Sequence, residues 1–455
     1  MRNKEVNMLS GSITKGLLAI SIPVMIMNVV QSMFNIADMS ILKAYDTDGL
    51  AVGAVGACGS LITLIIGLVV GIASGANVVV ASYIGGRNKE AANRAVGTAM
   101  IFSVAAGIAL ALVGILGARF FLNWNNCPDT LLPQAILYFR LYFGGIPLLM
   151  IYNFSAAILR SAGDSRRPMI YLLTGSGIKI LLSLLLIAVF DLGVFGVAIS
   201  TIVSWLISAT LGVITLVKST GFIKLYVKNL RFYRPELPHI LRIGVPVGLQ
   251  EELYAFANVA ITSVVNSLGP AATTGISIAN NFDGLVYQFS YATSFAVMPY
   301  VSQNIGAGNL KRASQAVWKG MLITIALGMT SGALSVIFSG QLSALMTSDP
   351  EAIAYSQQKM MIISSTYFIN GIYQVFCAAL RGMKKPAVPT IVAFVFLFLM
   401  RLLWVYVLFP LIPSLSFLYL CWPVSWVLSI IVLMIVFFRH KKKLALSINQ
   451  TSAAL

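Results

Sequence analysis

Twelve apolar runs, each of about 20 residues or more, divide this 455-residue chain, and the loops between them alternate in charge. An α-helix rises about 1.5 Å per residue, so a run of that length spans a hydrocarbon core of about 30 Å. The expected spans are 16–42, 50–84, 92–116, 131–159, 168–190 and 194–217, then 239–266, 271–304, 314–338, 352–380, 387–409 and 416–438. Several exceed the minimum, which predicts tilt, kinks or extension beyond the lipid. Composition excludes the soluble alternative. The chain is 58% hydrophobic and 10% charged, whereas a soluble chain carries roughly 25% charged residues. Folded as two or three soluble domains, it would have too little polar surface to cover them.

The loops set an orientation. Of 31 Lys and Arg residues, 25 lie at the N-terminus, in every second loop or in the C-terminal tail. The intervening loops hold only Lys43 and Arg119, beside Asp46, Asp48, Asp129, Asp191, Asp349 and Glu351. This asymmetry predicts cytoplasmic termini and an even number of spans. The net charge of +17 is therefore read as a topology signal and as contact with anionic membrane lipids, through loop 218–242 and tail 439–443, with no nucleic-acid partner. The polar start MRNKEVNMLSGSITKG runs straight into an apolar segment, so no cleavable signal peptide is expected. The cysteines (Cys58, Cys127, Cys377, Cys421) and histidines (His239, His440) are scattered with no CxxC pair, so neither a metal site nor a cofactor is expected.

The two halves repeat. SIPVMIMNVVQSMFNIADMS aligns with GVPVGLQEELYAFANVAITS, pairing Pro23 with Pro246, Asn35 with Asn258 and Ser40 with Ser263. Further on, IGGRNKEAANRAV aligns with IGAGNLKRASQAV, Tyr152 with Tyr373, Arg160 with Arg381 and Pro168 with Pro389. Six spans per copy make the repeat parallel, an architecture of secondary transporters. The expected organisation is an N-terminal lobe 1–217, a cytoplasmic linker 218–238, a C-terminal lobe 239–438 and a basic tail 439–455. The fold class is thus an all-α membrane protein of twelve transmembrane helices in two parallel six-helix lobes.

Ionisable groups inside apolar helices cost about 2.5–3.5 kcal/mol each on insertion scales, so each calls for a partner or a function. In the first helix Asn28, Gln31, Asn35 and Asp38 share a face, a stripe suited to a polar cavity or, for Asp38, to the headgroup region. In the seventh, Glu251, Tyr254 and Asn258 share a face; in the eighth, Asn280, Asp283 and Tyr287 do so. Counting from opposite sides places Glu251 and Asp283 at similar, near-central depth. A carboxyl there takes a proton or needs a cation, either as a coupling site or as a structural network closing against Arg401. Lys179 and Arg401 lie deep in helices five and eleven at nearly equivalent repeat positions, each expected to pair with acids of its own half. Arg140 and Lys359, nearer helix ends, are read as snorkelling. Tyr152, Asn153, Tyr367, Asn370, Tyr373 and Gln374 are candidates for a cavity holding aromatic or cationic molecules, or for packing. Pro23, Pro246, Pro389 and Pro423 are candidate kinks.

GSITKGLLAISIPVMIMNVVQSMFNIADMSIL, YIGGRNKEAANRAV, LRSAGDSRRP and QNIGAGNLKRASQAV together resemble the multidrug and toxic compound extrusion (MATE) family, over residues 8–438. The resemblance implies two lobes with a central cleft and export of organic cations and other small amphipathic molecules in exchange for protons or sodium. It places the family's first-helix acid on Asp38 and the seventh-helix acid of sodium-linked members near Glu251 or Glu252. Two departures matter. Where many members carry an asparagine and, four residues later, an aspartate in helix five, this chain has Lys179 and Ser183. The helix-ten segment SSTYFINGIYQ lacks the acid of sodium-linked members, and only Thr201 still fits the first-lobe site. Protons are therefore favoured over sodium, with Asp38, Glu251, Asp283, Lys179, Asn35 and Thr201 as coupling candidates. Gln31, Tyr254, Asn258, Asn280, Tyr287, Tyr367, Asn370, Tyr373 and Arg401 are the candidate cavity residues. The Lys179 ammonium is expected on Asp38, where relatives hold sodium. Competing readings are weaker. The loop IGGRNKEAANRA lacks the major facilitator signature, and no cluster of acids, His or a nucleophile supports an enzyme. A lipid-linked oligosaccharide flippase of the same superfamily is the alternative, kept by the two deep cations. The expected particle is a monomer in a bacterial inner membrane.

Overall fold

The computed structural model describes residues 6–46, 49–227 and 230–453, with the side chains of Asn35 and of 447–453 outside the described set. All regular structure among the described residues is helical. Twelve long helices follow one another: α1 (Ile13–Tyr45), α2 (Leu50–Gly85), α3 (Lys89–Trp124), α4 (Leu132–Ser161), α5 (Arg166–Val189), α6 (Gly193–Lys218), α7 (Glu236–Asn266), α8 (Pro270–Gly306), α9 (Leu310–Ile337), α10 (Pro350–Gly382), α11 (Ala387–Leu411) and α12 (Leu415–Leu446). Each overlays one expected span to within about four residues, except that α3 and α12 each run eight residues further at their C-terminal ends. Among the described residues, ten contain a stretch long and apolar enough to cross a membrane. The other two, α7 and α8, have 31 and 37 residues and fall short in apolarity, because they carry Gln250, Glu251, Glu252, Asn280, Asn281 and Asp283.

The repeat is visible in local geometry. The Asn88 side chain accepts from the Ala91 amide to cap α3, and Asn309 accepts from the Arg312 amide to cap α9, both at 3.0 Å. Just before each cap the backbone turns left-handed, at Arg87 (φ 54°) in one copy and Gly308 (φ 74°) in the other. The glycine adopts that conformation without the Cβ penalty that Arg87 bears.

Among the described residues the chain forms two compact units, one holding Val6 and Ile26–Val245, the other Asn7–Met25 and residues 246–453. These bounds differ from lobes 1–217 and 239–438, because the first turns of α1 and α7 each go with the other half of the sequence. In the first unit, the Tyr83 hydroxyl donates to Glu236 Oε2 at 2.8 Å and Arg94 Nε to Oε1 at 3.4 Å, which holds the start of α7. Gly75 of α2 and Gly244 of α7 then let the two backbones touch: a Cβ on either would run into main-chain atoms of the other helix. Gly244→Val should therefore lower thermal stability by an amount typical of overpacking, about 1–3 kcal/mol, read as a depressed Tm of the purified protein. An unchanged Tm would show that the helices separate without cost. In the second unit, Arg312 donates to the carbonyls of Met8 (2.9 Å), Ser10 (2.6 Å) and Gly11 (3.0 Å), and Asn304 Nδ2 to Met8 (3.1 Å). Leu17 and Ile20 are fully buried there.

Candidate functional site

In the first unit, α1, α5 and α6 bring four polar side chains together. Lys179 and Ser183, one turn apart, share a face of α5. The Lys179 ammonium is ion-paired with Asp38 Oδ2, and the two side chains are 14% and 6% exposed. Ser183 donates to Asp38 Oδ1 at 3.3 Å and lies 2.6 Å from Ser200 Oγ, whose own hydrogen goes to the Val197 carbonyl. Ser183 has one hydrogen and two acceptors in reach, so its bonding depends on the state of Asp38. Facing a carboxylate it donates to Oδ1; facing a protonated carboxyl it accepts and turns its hydrogen to Ser200. Thr201, also buried, donates to the Val197 carbonyl of its own turn at 2.9 Å and joins no other side chain in this cluster. Asn35 lies one turn from Asp38 on α1, but its side chain falls outside the described residues. Gln31 is exposed. Just beyond Ser183 the helix widens to π geometry over Leu185–Val189, a feature that often marks functional positions.

The second unit carries a different network. Lys359 of α10 reaches Asp283 Oδ2 of α8 at 3.3 Å, with both side chains 4% exposed, and also hydrogen-bonds Asn280 Oδ1. Ser364 donates to Asp283 Oδ1 at 2.6 Å. Lys359 is thus an internal counter-ion and does not snorkel. Its place nine residues into α10, about 13 Å along the axis, was a sequence signal for that depth. Glu251 belongs elsewhere: Arg381 Nη2 lies 3.5 Å from Oε1, and the Tyr291 hydroxyl donates to the same oxygen at 3.3 Å. Tyr291 is two turns of α8 from Asp283, about 12 Å, so the two acids do not share a depth. Glu252, the neighbouring carboxylate, has its Oε2 buried and without a hydrogen-bond partner.

Arg401 also departs from expectation. It is fully buried and among the described residues pairs with no acid. Nη1 donates to Asn258 Oδ1 at 3.2 Å, Nε and Nη2 lie 3.4 Å from Ser425 Oγ, and the guanidinium sits 4.9 Å and 5.5 Å from the ring centroids of Tyr254 and Trp422. Amide, hydroxyl and two π-faces take the place of a carboxylate. On either side of it α11 is in π geometry, over Ala393–Leu399 and Trp404–Leu408.

A cavity of about 290 Å³ opens between α7, α8, α10 and α12 of this unit. Of the residues expected to line one, Tyr254, Asn258, Asn280, Tyr287 and Tyr367 do, together with Asp283 and Lys359. Three do not. Tyr373 is buried and accepts from Gln250 Nε2 at 2.8 Å. Asn370 is wholly buried with neither side-chain polar atom bonded. Arg401 stands behind the wall, covered by residues that line it. Tyr152 is likewise occupied, donating to the Pro168 carbonyl at 3.1 Å. Sequence reasoning missed Tyr419 and Trp422 of α12, which complete the cavity.

The family model described as MatE matches residues 23–185 and 246–407, one match in each half of the repeat. The chain belongs to the MatE family. "Probable multidrug resistance protein YoeA" of Bacillus subtilis (strain 168) is 26% identical to it over 392 residues, covering 84% of each chain. Two solved structures share the twelve-helix fold of this MatE chain at 21% identity, both covering 98% of it and 99% of the neighbour. One, from Pyrococcus furiosus, is titled for the reverse polarity of its binding pocket (TM-score 0.89); the other is an outward-facing multidrug resistance MATE transporter (TM-score 0.87). This MatE chain is therefore a multi-helix membrane transporter of a multidrug efflux family, and its relatives are transporters rather than enzymes.

Proposed function

We propose that this MatE chain is a proton-coupled antiporter that exports small amphipathic molecules from a bacterial cytoplasm, with both termini on the cytoplasmic side. The reading is carried by the ion pair of Lys179 with Asp38. An ammonium already occupies the charge position beside the first-helix acid, so sodium has neither the vacancy nor the second carboxylate it would need. A proton needs neither. Protonation of Asp38 leaves the Lys179 charge without its partner in a poorly solvated place, which strongly favours any conformation that rehydrates it. The same event reverses the Ser183 hydrogen bond and passes the change to Ser200 on α6. One titration thereby biases α1, α5 and α6 together. The basic loops support the orientation, and YoeA, described as a multidrug resistance protein, supports export.

The test is transport by the purified chain in sealed vesicles loaded with one anionic and one cationic fluorescent amphiphile. An imposed proton gradient should drive movement of at least one dye, and an imposed sodium gradient at matched pH should drive neither. Sodium-driven movement, or no response to protons, would overturn the proposal.

A further inference from the structure

The wall of the second-unit cavity is wired to two buried cations, and that wiring selects a ligand. Asn258 turns its side-chain oxygen to Arg401 at 3.2 Å, and Asn280 turns its own to Lys359. An amide with its oxygen on a cation presents its two N–H donors the other way, and both residues line the cavity. Tyr419, fully buried and also lining it, has a hydroxyl with no hydrogen-bond partner. Of the charges around the cavity, Lys359 is matched by Asp283, whereas Arg401 has only neutral partners. One positive charge is left over in a desolvated place, where a counter-ion is worth most. The remaining wall is aromatic, from Tyr254, Tyr287, Tyr367 and Trp422. A volume of about 290 Å³ lies at the small end of ligand pockets and admits one ring or two fused rings.

We propose that this cavity binds a small aromatic monoanion, its negative group facing the amide donors of Asn258 and Asn280 in the field of Arg401, and its ring against the tyrosines. The sign is opposite to that of the organic cations the family resemblance implied. That the bound molecule is exported cargo rests on the transport reading above; the charge preference of the cavity does not.

Titration calorimetry on the purified full-length protein tests it with three single-ring probes of similar size, benzoate, benzyl alcohol and benzylamine, and one larger two-ring anion, indole-3-acetate. The two anions should bind at one site, and benzylamine should bind at least about tenfold more weakly. Asn258→Asp places a carboxylate against Arg401 and cancels the spare charge, so it should abolish the anion preference or reverse it. Arg401→Gln should abolish it and Arg401→Lys retain it; where Arg401→Gln does not fold, Asn258→Asp decides, since it keeps a partner for the guanidinium. Benzylamine binding as tightly as benzoate, no binding of any probe, or an unchanged preference in Asn258→Asp would each overturn the assignment. Proton-driven dye movement without anion preference sinks this inference alone, and anion preference without proton-driven movement sinks only the coupling.

Discussion

Asp38→Asn should abolish proton-driven transport and also destabilise the protein, and the two losses should be separable. The substitution keeps the shape of the side chain and removes the charge that balances Lys179. Breaking a buried pair by removing one partner costs about 3–5 kcal/mol, because the other charge stays behind unpaired. The single variant should therefore show a much lower Tm. The double variant Asp38→Asn with Lys179→Met removes both charges and should recover most of that Tm, since replacing both members of a buried pair by uncharged groups is often neutral. It should remain inactive, because no titratable group is left in the cluster. Gradient-driven dye efflux and thermal unfolding, measured on the same preparations, check both parts. A double variant that transports normally would make the pair a structural device and leave coupling to the acids of the second unit.

Lys179→Asn with Ser183→Asp should convert a sodium-blind chain into a sodium-responsive one. The two positions are one turn apart on α5 and both reach Asp38. The exchange removes the resident ammonium and places a second carboxylate and an amide oxygen around the vacated position, a hard oxygen set suited to a small cation. The expected result is efflux that rises with an imposed sodium gradient at constant pH, together with a sodium-dependent gain in Tm that the parent lacks. Proton-driven efflux should fall at the same time. An active, folded double variant with no sodium response would refute the idea that the lysine stands in for the ion.

How these positions became legible, or did not, follows from what a single sequence encodes. The twelve helices follow from apolar run length and from caps such as Asn88 and Asn309, both local properties. The pairing of Lys179 with Asp38 was legible because a deep ammonium demands a partner and the family resemblance placed Asp38 beside it. The second unit was harder, because it offers several acids and several cations. Choosing Lys359 for Asp283, Arg381 for Glu251 and no acid for Arg401 depends on helix rotation, and that rotation is altered where the helices leave α geometry. The 3₁₀ turn at Ser364–Thr366 interrupts α10, and two π stretches interrupt α11. A face drawn at 100° per residue drifts across such breaks, and Tyr373 and Asn370, beyond the 3₁₀ turn, are buried away from the cavity, whereas Tyr419 and Trp422 of α12 line it. Ser183 and Ser364 illustrate a second limit. Each donates a hydrogen bond to a buried carboxylate, and serines in small-residue helices are too common for such a role to stand out.

The two compact units do not coincide with the two copies of the repeat. The opening of the first copy, Asn7–Met25, is built into the second unit, and the opening of the second copy, as far as Val245, into the first. The copies have exchanged arms, and each exchange falls beside one of the paired prolines, Pro23 and Pro246, where the helical hydrogen-bond ladder is already interrupted. A chain severed in the loop after α6 would thus yield two fragments, neither of which contains a whole unit: the N-terminal piece lacks the stretch that carries Glu236 and Gly244, and the C-terminal piece lacks the carbonyls that Arg312 binds. Such fragments should be soluble in detergent and active only when produced together, and co-production of the two pieces against each alone checks this.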